Sequence, residues 1–174
     1  DFGGRALSKF NLLSIYKPFK NKLMNWFIGK SRSKTTDKVI VYPRNKNSLK
    51  SIIKKMKEPC VLYLLADEDI SVDDSIFIDF FDTQKATLKS ISKLAKLTNS
   101  KVLPCMCTYN LETNNFFFKV FPQLDNFPSN NMIEDCLKIN ACLQQQILFD
   151  ISQYMWTLRI YKHRPDGSDI YKIQ

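Results

Sequence analysis

The sequence predicts a mixed, largely parallel α/β sheet flanked by helices. Apolar residues alternate along the chain between the two-residue period of strands and the longer period of helices. Such alternation is typical of a sheet whose strands run mostly parallel, with helices on both faces. The chain has 174 residues, of which 44% are hydrophobic and 13% aromatic, so it can bury one core and we expect one domain, residues 1–174.

The first part of the chain predicts two strands, each followed by a helix. Leu12 to Tyr16 and Lys38 to Tyr42 are rich in apolar and β-branched residues, as strands are. One helix covers Asn21 to Lys30, and the next begins at a cap formed by Asn47 or Ser48. The apolar faces of the two helices comprise Leu23, Met24, Phe27 and Ile28, and then Leu49, Ile52, Ile53 and Met56.

The middle of the chain predicts a buried strand that opens into an acidic loop. Val61 to Leu65 is a continuous apolar run, as in a strand covered on both faces. The loop Asp67-Glu68-Asp69 follows it, where ligands of open α/β sheets collect. Ser75 to Phe81 predicts another strand or an extended segment, and the helix after it is marked by Leu88, Ile91, Leu94 and Ala95.

The last part predicts a strand, a hairpin and a long helix. Lys101 to Thr108 reads as a strand, and Asn110 to Asn115 as a turn that leads into Phe116 to Val120. The helix covers about Met132 to Ile151. The second hairpin strand opens with Phe116-Phe117-Phe118, an apolar run that is typical of a core.

Charge and cysteine content restrict the function classes. The net charge of +9 favours a polyanionic partner: nucleic acid, an anionic membrane, a phosphorylated substrate or an acidic carrier protein. The five cysteines lie in apolar runs without any C-x-x-C, which favours reduced core cysteines over disulfides. Cys105 and Cys107 share one side of a strand, but no histidine lies nearby, which disfavours zinc.

No apolar run reaches the roughly 18–20 residues of a membrane span, and no signal peptide is present. The chain starts at Asp1 rather than Met, so we expect a piece of a longer protein that lacks its N-terminal part.

An aromatic cluster followed by three cations and a proline lies near the C-terminus, in Gln153 to Pro165. By itself it predicts a buried aromatic anchor, Tyr154-Met155-Trp156, with a solvated basic edge. It also resembles the YMWT-x-[RK]-x-[FL]-K-x-R-P segment of the lipid A late acyltransferases. These bacterial enzymes transfer a fatty acyl chain onto a lipid A precursor.

Four further segments resemble the same family in the same order. Tyr16 to Asn21 is similar to YRP-x-x-N, with Lys17 where arginine is usual. The acidic loop is similar to PDQD, with Ala66 for proline and Glu68 for glutamine. Phe77 to Phe81 is similar to F-x-x-FFG without its glycine. The last segment is similar to A-[ST]…LA-x-L-[ST]-x-A-x-V-x-P, and its matches are Ala86-Thr87, Leu94 to Thr98 and Val102 to Pro104. The resemblance implies a glycerolipid acyltransferase-like fold.

The resemblance makes the opening residues a candidate catalytic site. Asp1 to Arg5 fits the acidic end of the family motif H-x-x-x-x-[DE], so Asp1 is the implied carboxylate of a dyad. The implied base is a histidine five positions before Asp1, outside the chain, so we expect the chain alone to lack activity. In the family mechanism that histidine deprotonates the acceptor hydroxyl, and the carboxylate orients the imidazole. Without the resemblance, Asp1 is an exposed terminal residue or a helix cap.

The resemblance also implies a set of substrate-binding residues and no metal or cofactor. Asp67 is expected to organise the active-site floor through cations such as Lys17 or Arg32, although clustered carboxylates also suit a divalent cation or a solvated turn. His163 lies where the family commonly has threonine, which indicates a phosphate contact or surface residue rather than a base. The implied substrate-binding residues are Lys17, Asn21, Arg32, Asp67, Asp69, Arg159, Lys162 and Arg164.

The implied reaction uses acyl-acyl carrier protein as donor and a hydroxyl of a phosphorylated glycolipid, the lipid A precursor, as acceptor. The implied location is the cytoplasmic face of the cell inner membrane, against an anionic surface. Lysines surround Trp26-Phe27 and suit such a surface, with Phe27 and Ile28 expected in the core. Two alternatives stay open: a basic nucleic-acid-binding module that stacks aromatics on bases, and an inactive relative that only binds lipid.

Overall fold

The computed structural model describes residues 2–33 and 37–172, apart from the side chains of Phe2, Arg32 and Ser33. The chain divides into two compact units, residues 1–64 and 65–174. A parallel sheet, antiparallel hairpins and helices together confirm the mixed α/β class. Among the described residues, none of the helices has the length and apolarity needed to cross a membrane.

The first unit is built on a three-stranded parallel sheet. Its strands are β1 (Leu12–Tyr16), β2 (Val39–Pro43) and β3 (Val61–Tyr63), in the order β2-β1-β3. β1 lies in the centre, and its residues Leu12 and Leu13 are almost fully buried. β3 is shorter than predicted. It is only partly buried, because it is an edge strand that pairs with β1 on one side.

The described part of this unit contains the helices α1 (Phe2–Ala6), α2 (Lys22–Ser33) and α3 (Lys46–Lys55). The cap of α3 is Asn45, not Asn47 or Ser48 as predicted. The Asn45 backbone is extended, and its side-chain oxygen accepts the Ser48 N–H at 2.8 Å. The predicted cap lies two to three residues C-terminal to the observed one, because polar residues of the first helical turn resemble capping residues.

The second unit, as far as residue 172, contains two antiparallel hairpins and two α-helices. The strands are β4 (Ser75–Phe80), β5 (Thr83–Leu88), β6 (Cys105–Asn110) and β7 (Asn115–Val120). The helices are α4 (Ser90–Thr98) and α5 (Met132–Phe149), and a 3₁₀ turn, Ile151–Gln153, follows α5.

The sequence missed β5 and assigned Leu88 to the following helix. Phe81 and Asp82 form the β4–β5 turn, and both have positive φ, at 46° and 57°. Two-residue hairpin turns with positive φ are usually marked by glycine or asparagine. Asp82 also tolerates positive φ, but Phe81 does not favour it, so the turn carries only a weak local signal.

The core of the second unit joins this hairpin to α5 and the C-terminal region. Phe80, Ile147 and Ile160 are its buried centre. Tyr154, Leu158 and Tyr161 are among the partly buried residues packed against that centre. The Tyr161 hydroxyl donates to the Phe80 carbonyl at 2.8 Å, which fixes the C-terminal region on β4.

Several residues predicted to be buried are exposed. In the aromatic anchor, Met155 and Trp156 are 59% and 55% exposed, and only Tyr154 is half-buried. Phe116 and Phe117 lie on a two-stranded hairpin, which is too narrow to cover them. Similarly, of the five cysteines, all of them unpaired, Cys136 is buried whereas Cys107 is exposed.

Candidate functional site

The acidic loop, residues 67–69, is bonded to the C-terminal segment, residues 153–165. The Tyr154 hydroxyl donates to Asp67 Oδ2 at 3.2 Å. The backbone N–H of His163 donates to Asp69 Oδ2 at 2.8 Å, and His163 Nδ1 lies 2.5 Å from Asp69 Oδ1. The two segments that the sequence singled out therefore meet inside the second unit.

The Asp69 carboxylate holds His163 in one orientation. The Asp69 side chain is fully buried, whereas the His163 side chain is 27% exposed. Because an ionised carboxylate only accepts hydrogen bonds, Nδ1 carries the proton shared with Asp69. The other ring nitrogen, Nε2, can therefore accept from or donate to a second group.

Tyr154 is a neutral donor to the same loop. Burial, together with the negative charge of Asp67 and the hydrogen bond to it, raises the pKa of Tyr154 well above its usual range. The phenol therefore keeps its proton, and the Asp67 carboxylate accepts from it. The Tyr154 ring also meets the Trp156 ring edge-on, with centroids 5.0 Å apart.

The second unit also contains a fully buried lysine. Lys85 of β5 has no exposed surface, and its Nζ is 5.8 Å from the centroid of the Phe80 ring. Burial lowers the pKa of Lys85, whereas the negative charges of Asp67 and Asp69 oppose that effect. Lys85 Nζ donates to the Ala86 carbonyl at 3.5 Å. The sequence reasoning did not identify this buried lysine.

The three cations of the C-terminal segment differ in exposure. Arg159 and Lys162 are exposed, as predicted, and the Arg159 guanidinium lies 5.7 Å from the centroid of the Tyr171 ring. Arg164 is half-buried, and its Nη1 donates to Thr83 Oγ1 at 3.3 Å. Its Nε is buried and has no hydrogen-bond partner among the described residues.

The other predicted site residues belong to the first unit. Lys17 is exposed in the loop after β1. Asn21 has a structural role, since its side-chain oxygen accepts the backbone N–H groups of Leu23 and Met24 and so caps α2. Asp1 and the Arg32 side chain lie outside the described residues, and the pairing of Asp67 with Lys17 or Arg32 stays a prediction.

The described residues contain no group of three His, Cys, Asp or Glu side chains placed to hold a metal ion. The acidic loop instead uses its carboxylates to bind the C-terminal segment. Local sequence could not reveal these pairs, because Asp67 and Tyr154 are 87 residues apart and Asp69 and His163 are 94 apart. The one available signal was a single histidine, His163, in a basic strip.

Comparisons with known proteins agree with the motifs. The family model for the bacterial lipid A biosynthesis acyltransferases matches residues 1–163. A lipid A biosynthesis acyltransferase of Haemophilus influenzae is 29% identical over 160 residues, covering 92% of this chain and 49% of that protein.

Two relatives from Escherichia coli are also similar. The lipid A biosynthesis palmitoleoyltransferase is 23% identical over 174 residues, covering 98% of this chain and 55% of that protein. The lipid A biosynthesis myristoyltransferase is 28% identical over 141 residues, covering 77% and 43%. The chain thus spans about half the length of the curated relatives it matches.

Proposed function

Since this chain belongs to the bacterial lipid A biosynthesis acyltransferase family, we propose that the protein transfers a fatty acyl chain from acyl-acyl carrier protein to a hydroxyl of a lipid A precursor. The observation that carries the proposal is the family match over residues 1–163, which includes the acidic loop and most of the C-terminal segment. The proposed location is the cytoplasmic face of the inner membrane, against its anionic surface.

The proposed reaction is a single acyl transfer. The acceptor hydroxyl oxygen forms a bond to the thioester carbonyl carbon while a base takes the hydroxyl proton, and the carbon–sulfur bond breaks to release the carrier thiol. We assign the base to a histidine five positions before Asp1, with the Asp1 carboxylate orienting its imidazole. No metal or other cofactor is needed for this sequence of bonds.

The C-terminal segment is the proposed binding surface for the phosphates of the acceptor. Its exposed cations, Arg159 and Lys162, suit phosphate oxygens, and Arg164 adds a guanidinium anchored on Thr83. The hydrogen bonds of Asp67 to Tyr154 and of Asp69 to His163 hold this segment in place. His163 is therefore a proposed positioning residue, because it acts on substrate through Lys162 and Arg164.

The test measures transfer of a radiolabelled acyl chain from acyl-acyl carrier protein to lipid A precursor by the natural full-length protein. The proposal predicts transfer, and a protein that consumes no donor and acylates no acceptor contradicts it. In the same assay, His163→Ala is expected to raise the KM for the acceptor about tenfold, the worth of one charge-assisted hydrogen bond. The turnover number should change much less.

Two further variants separate positioning from general damage. His163→Asn keeps a donor beside Asp69 and should recover most of the KM, whereas Asp69→Ala should reproduce the defect. Asp73→Asn is the matched control, because Asp73 is an exposed carboxylate of the same unit. If His163→Ala lowered turnover and left the KM unchanged, the positioning role would be wrong while the acyltransferase proposal stood.

A further inference from the structure

Helix α2 exposes its apolar side chains instead of burying them. Leu23, Trp26 and Phe27 are 72%, 57% and 62% exposed, and their spacing places them on one side of the helix. The partly buried residues Asn25 and Ile28 lie on the other side. The sequence prediction that Phe27 packs in the core is therefore wrong.

The neighbouring residues extend this apolar face. Phe19 and Met24 are also close to half exposed, so five large apolar side chains within nine residues are in contact with solvent. Contiguous apolar surface of this kind marks a site of interaction with a membrane or another protein. We call the exposed set Phe19, Leu23, Met24, Trp26 and Phe27 the α2 face.

The charge around the α2 face selects its partner. The segment from Lys17 to Ser33 contains five cations and no acidic residue. Lys30 lies on the face itself, with its Nζ 4.7 Å from the centroid of the Trp26 ring. The cations of the segment are Lys17, Lys20, Lys22, Lys30 and Arg32.

Length and composition indicate how α2 meets that partner. With 12 residues α2 is about 18 Å long, shorter than the roughly 30 Å of a bilayer core, so it cannot span one. A helix with large apolar residues, a tryptophan and flanking lysines is typical of elements that lie in the membrane interface. Basic side chains there bind the phosphates of anionic lipids.

We propose that α2 lies in the plane of an anionic bilayer, with Leu23, Trp26 and Phe27 among the acyl chains and the flanking lysines on lipid phosphates. This inference identifies the element that makes the membrane contact, and it rests on the proposed function only for the location of the protein. It gives the first unit a role of its own: to hold the enzyme at the surface that contains its lipid acceptor.

The two tryptophans of the chain make the inference testable in each unit separately. Trp156→Phe leaves Trp26 as the only indole reporter, and Trp26→Phe leaves Trp156. Each variant of the 174-residue chain is mixed with vesicles of phosphatidylethanolamine and phosphatidylglycerol, or of phosphatidylcholine alone. We expect the Trp26 emission to shift to shorter wavelength, and brominated lipid to quench it, with the anionic vesicles only. About 0.5 M salt should weaken the binding, because it screens the lysine–phosphate attraction.

Substitutions in the α2 face test the contact directly. Leu23→Asp and Phe27→Asp should each weaken vesicle binding at least tenfold, with little change in melting temperature since both side chains are mostly exposed. Leu111→Asp is the matched control: Leu111 is 82% exposed in the β6–β7 turn of the second unit, and its substitution should leave vesicle binding unchanged.

The inference is overturned if Trp26 does not respond to anionic vesicles, if Trp156 alone responds, or if the chain binds phosphatidylcholine equally well. It is also overturned if Leu23→Asp leaves vesicle binding unchanged but abolishes a dimer seen by size-exclusion chromatography. The last result would assign the α2 face to a second copy of the chain. Vesicle binding without acyl transfer by the full-length protein would contradict the proposed function alone, and transfer to detergent-dispersed acceptor without vesicle binding would contradict the inference alone.

Discussion

Phe80 and Trp156 show how burial determines the energetic role of two large aromatic side chains. Phe80 is fully buried in the core of the second unit. Trp156 is 55% exposed, although its Nε1–H donates to the Ile151 carbonyl at 2.8 Å. Removing apolar surface from water is what stabilises a buried side chain, so the two residues should contribute unequally.

Substitution with alanine measures that difference. Phe80→Ala should lower the free energy of unfolding by about 3–5 kcal/mol, since it removes buried contacts and leaves a cavity. Trp156→Ala should lower it by about 1–2 kcal/mol, because half of the side chain is already in water. Urea unfolding followed by circular dichroism gives both values. Equal losses for the two variants would show that Trp156 is covered in solution.

Helix α5 is held in the second unit by buried polar residues. Asn140 accepts from Thr87 Oγ1 at 2.9 Å and donates to the Asp79 carbonyl at 3.0 Å, which joins α5 to the β4–β5 hairpin. Asp135 accepts from the Ser92 hydroxyl and from the Ser129 N–H, which joins α5 to α4 and the preceding loop. Buried polar groups of this kind are costly unless every partner is in place.

Asp135 gives this helix a pH dependence in acid. Burial by itself raises the pKa of Asp135, but the hydrogen bonds from Ser92 and Ser129 outweigh it and leave the pKa below its ordinary value of 3.8. The folded state therefore releases this proton more readily than the unfolded state. The stabilising contribution is complete above the unfolded pKa and is lost as pH falls through the folded pKa.

The expected result is a shallower acid transition in Asp135→Asn. Between about pH 5 and pH 2 its free energy of unfolding should fall less steeply than that of the wild-type chain, because the variant lacks this titrating group. Glu112→Gln, an exposed change in the β6–β7 turn, should keep the wild-type slope. Parallel acid transitions for Asp135→Asn and the wild-type chain would contradict the lowered pKa.

Over the whole molecule, the net charge of +9 attracts polyanions of every kind. Phe116 and Phe117 are about half exposed rather than buried in a core, so their rings are accessible for base stacking. The family match and the anchored C-terminal segment support the proposed phosphorylated lipid instead. Salt weakens binding to both partners, so only competition separates them.

Competition between nucleic acid and lipid A precursor therefore decides which of these polyanions the basic protein binds. Excess single-stranded oligonucleotide should fail to displace lipid A precursor from the protein, followed by fluorescence of a labelled lipid. Arg159→Ala and Lys162→Ala should weaken capture of the lipid, because they remove exposed cations from the proposed phosphate surface. Saturable oligonucleotide binding that displaces the lipid would support a nucleic-acid-binding module.

The local elements were largely predictable from the sequence. The strand over Leu12–Tyr16 and the helices near Lys22–Ser33 and Met132–Phe149 were predicted to within a few residues, since periodic apolar residues and capping residues are local signals. Family membership was predictable as well, because motifs in order along a chain do not depend on coordinates. The expectation of one domain and the role of Asp1 stay predictions.

The sequence by itself thus determined the α/β class, the family and the two segments that form the candidate site. Only the tertiary structure decided that Asp69 holds His163, that Lys85 is fully buried, and that the α2 face is exposed. The physical reason is that hydrogen-bond partners and burial depend on which distant residues pack together. A pair 94 residues apart has no local pattern, and an apolar helix face has the same periodicity whether protein or solvent covers it.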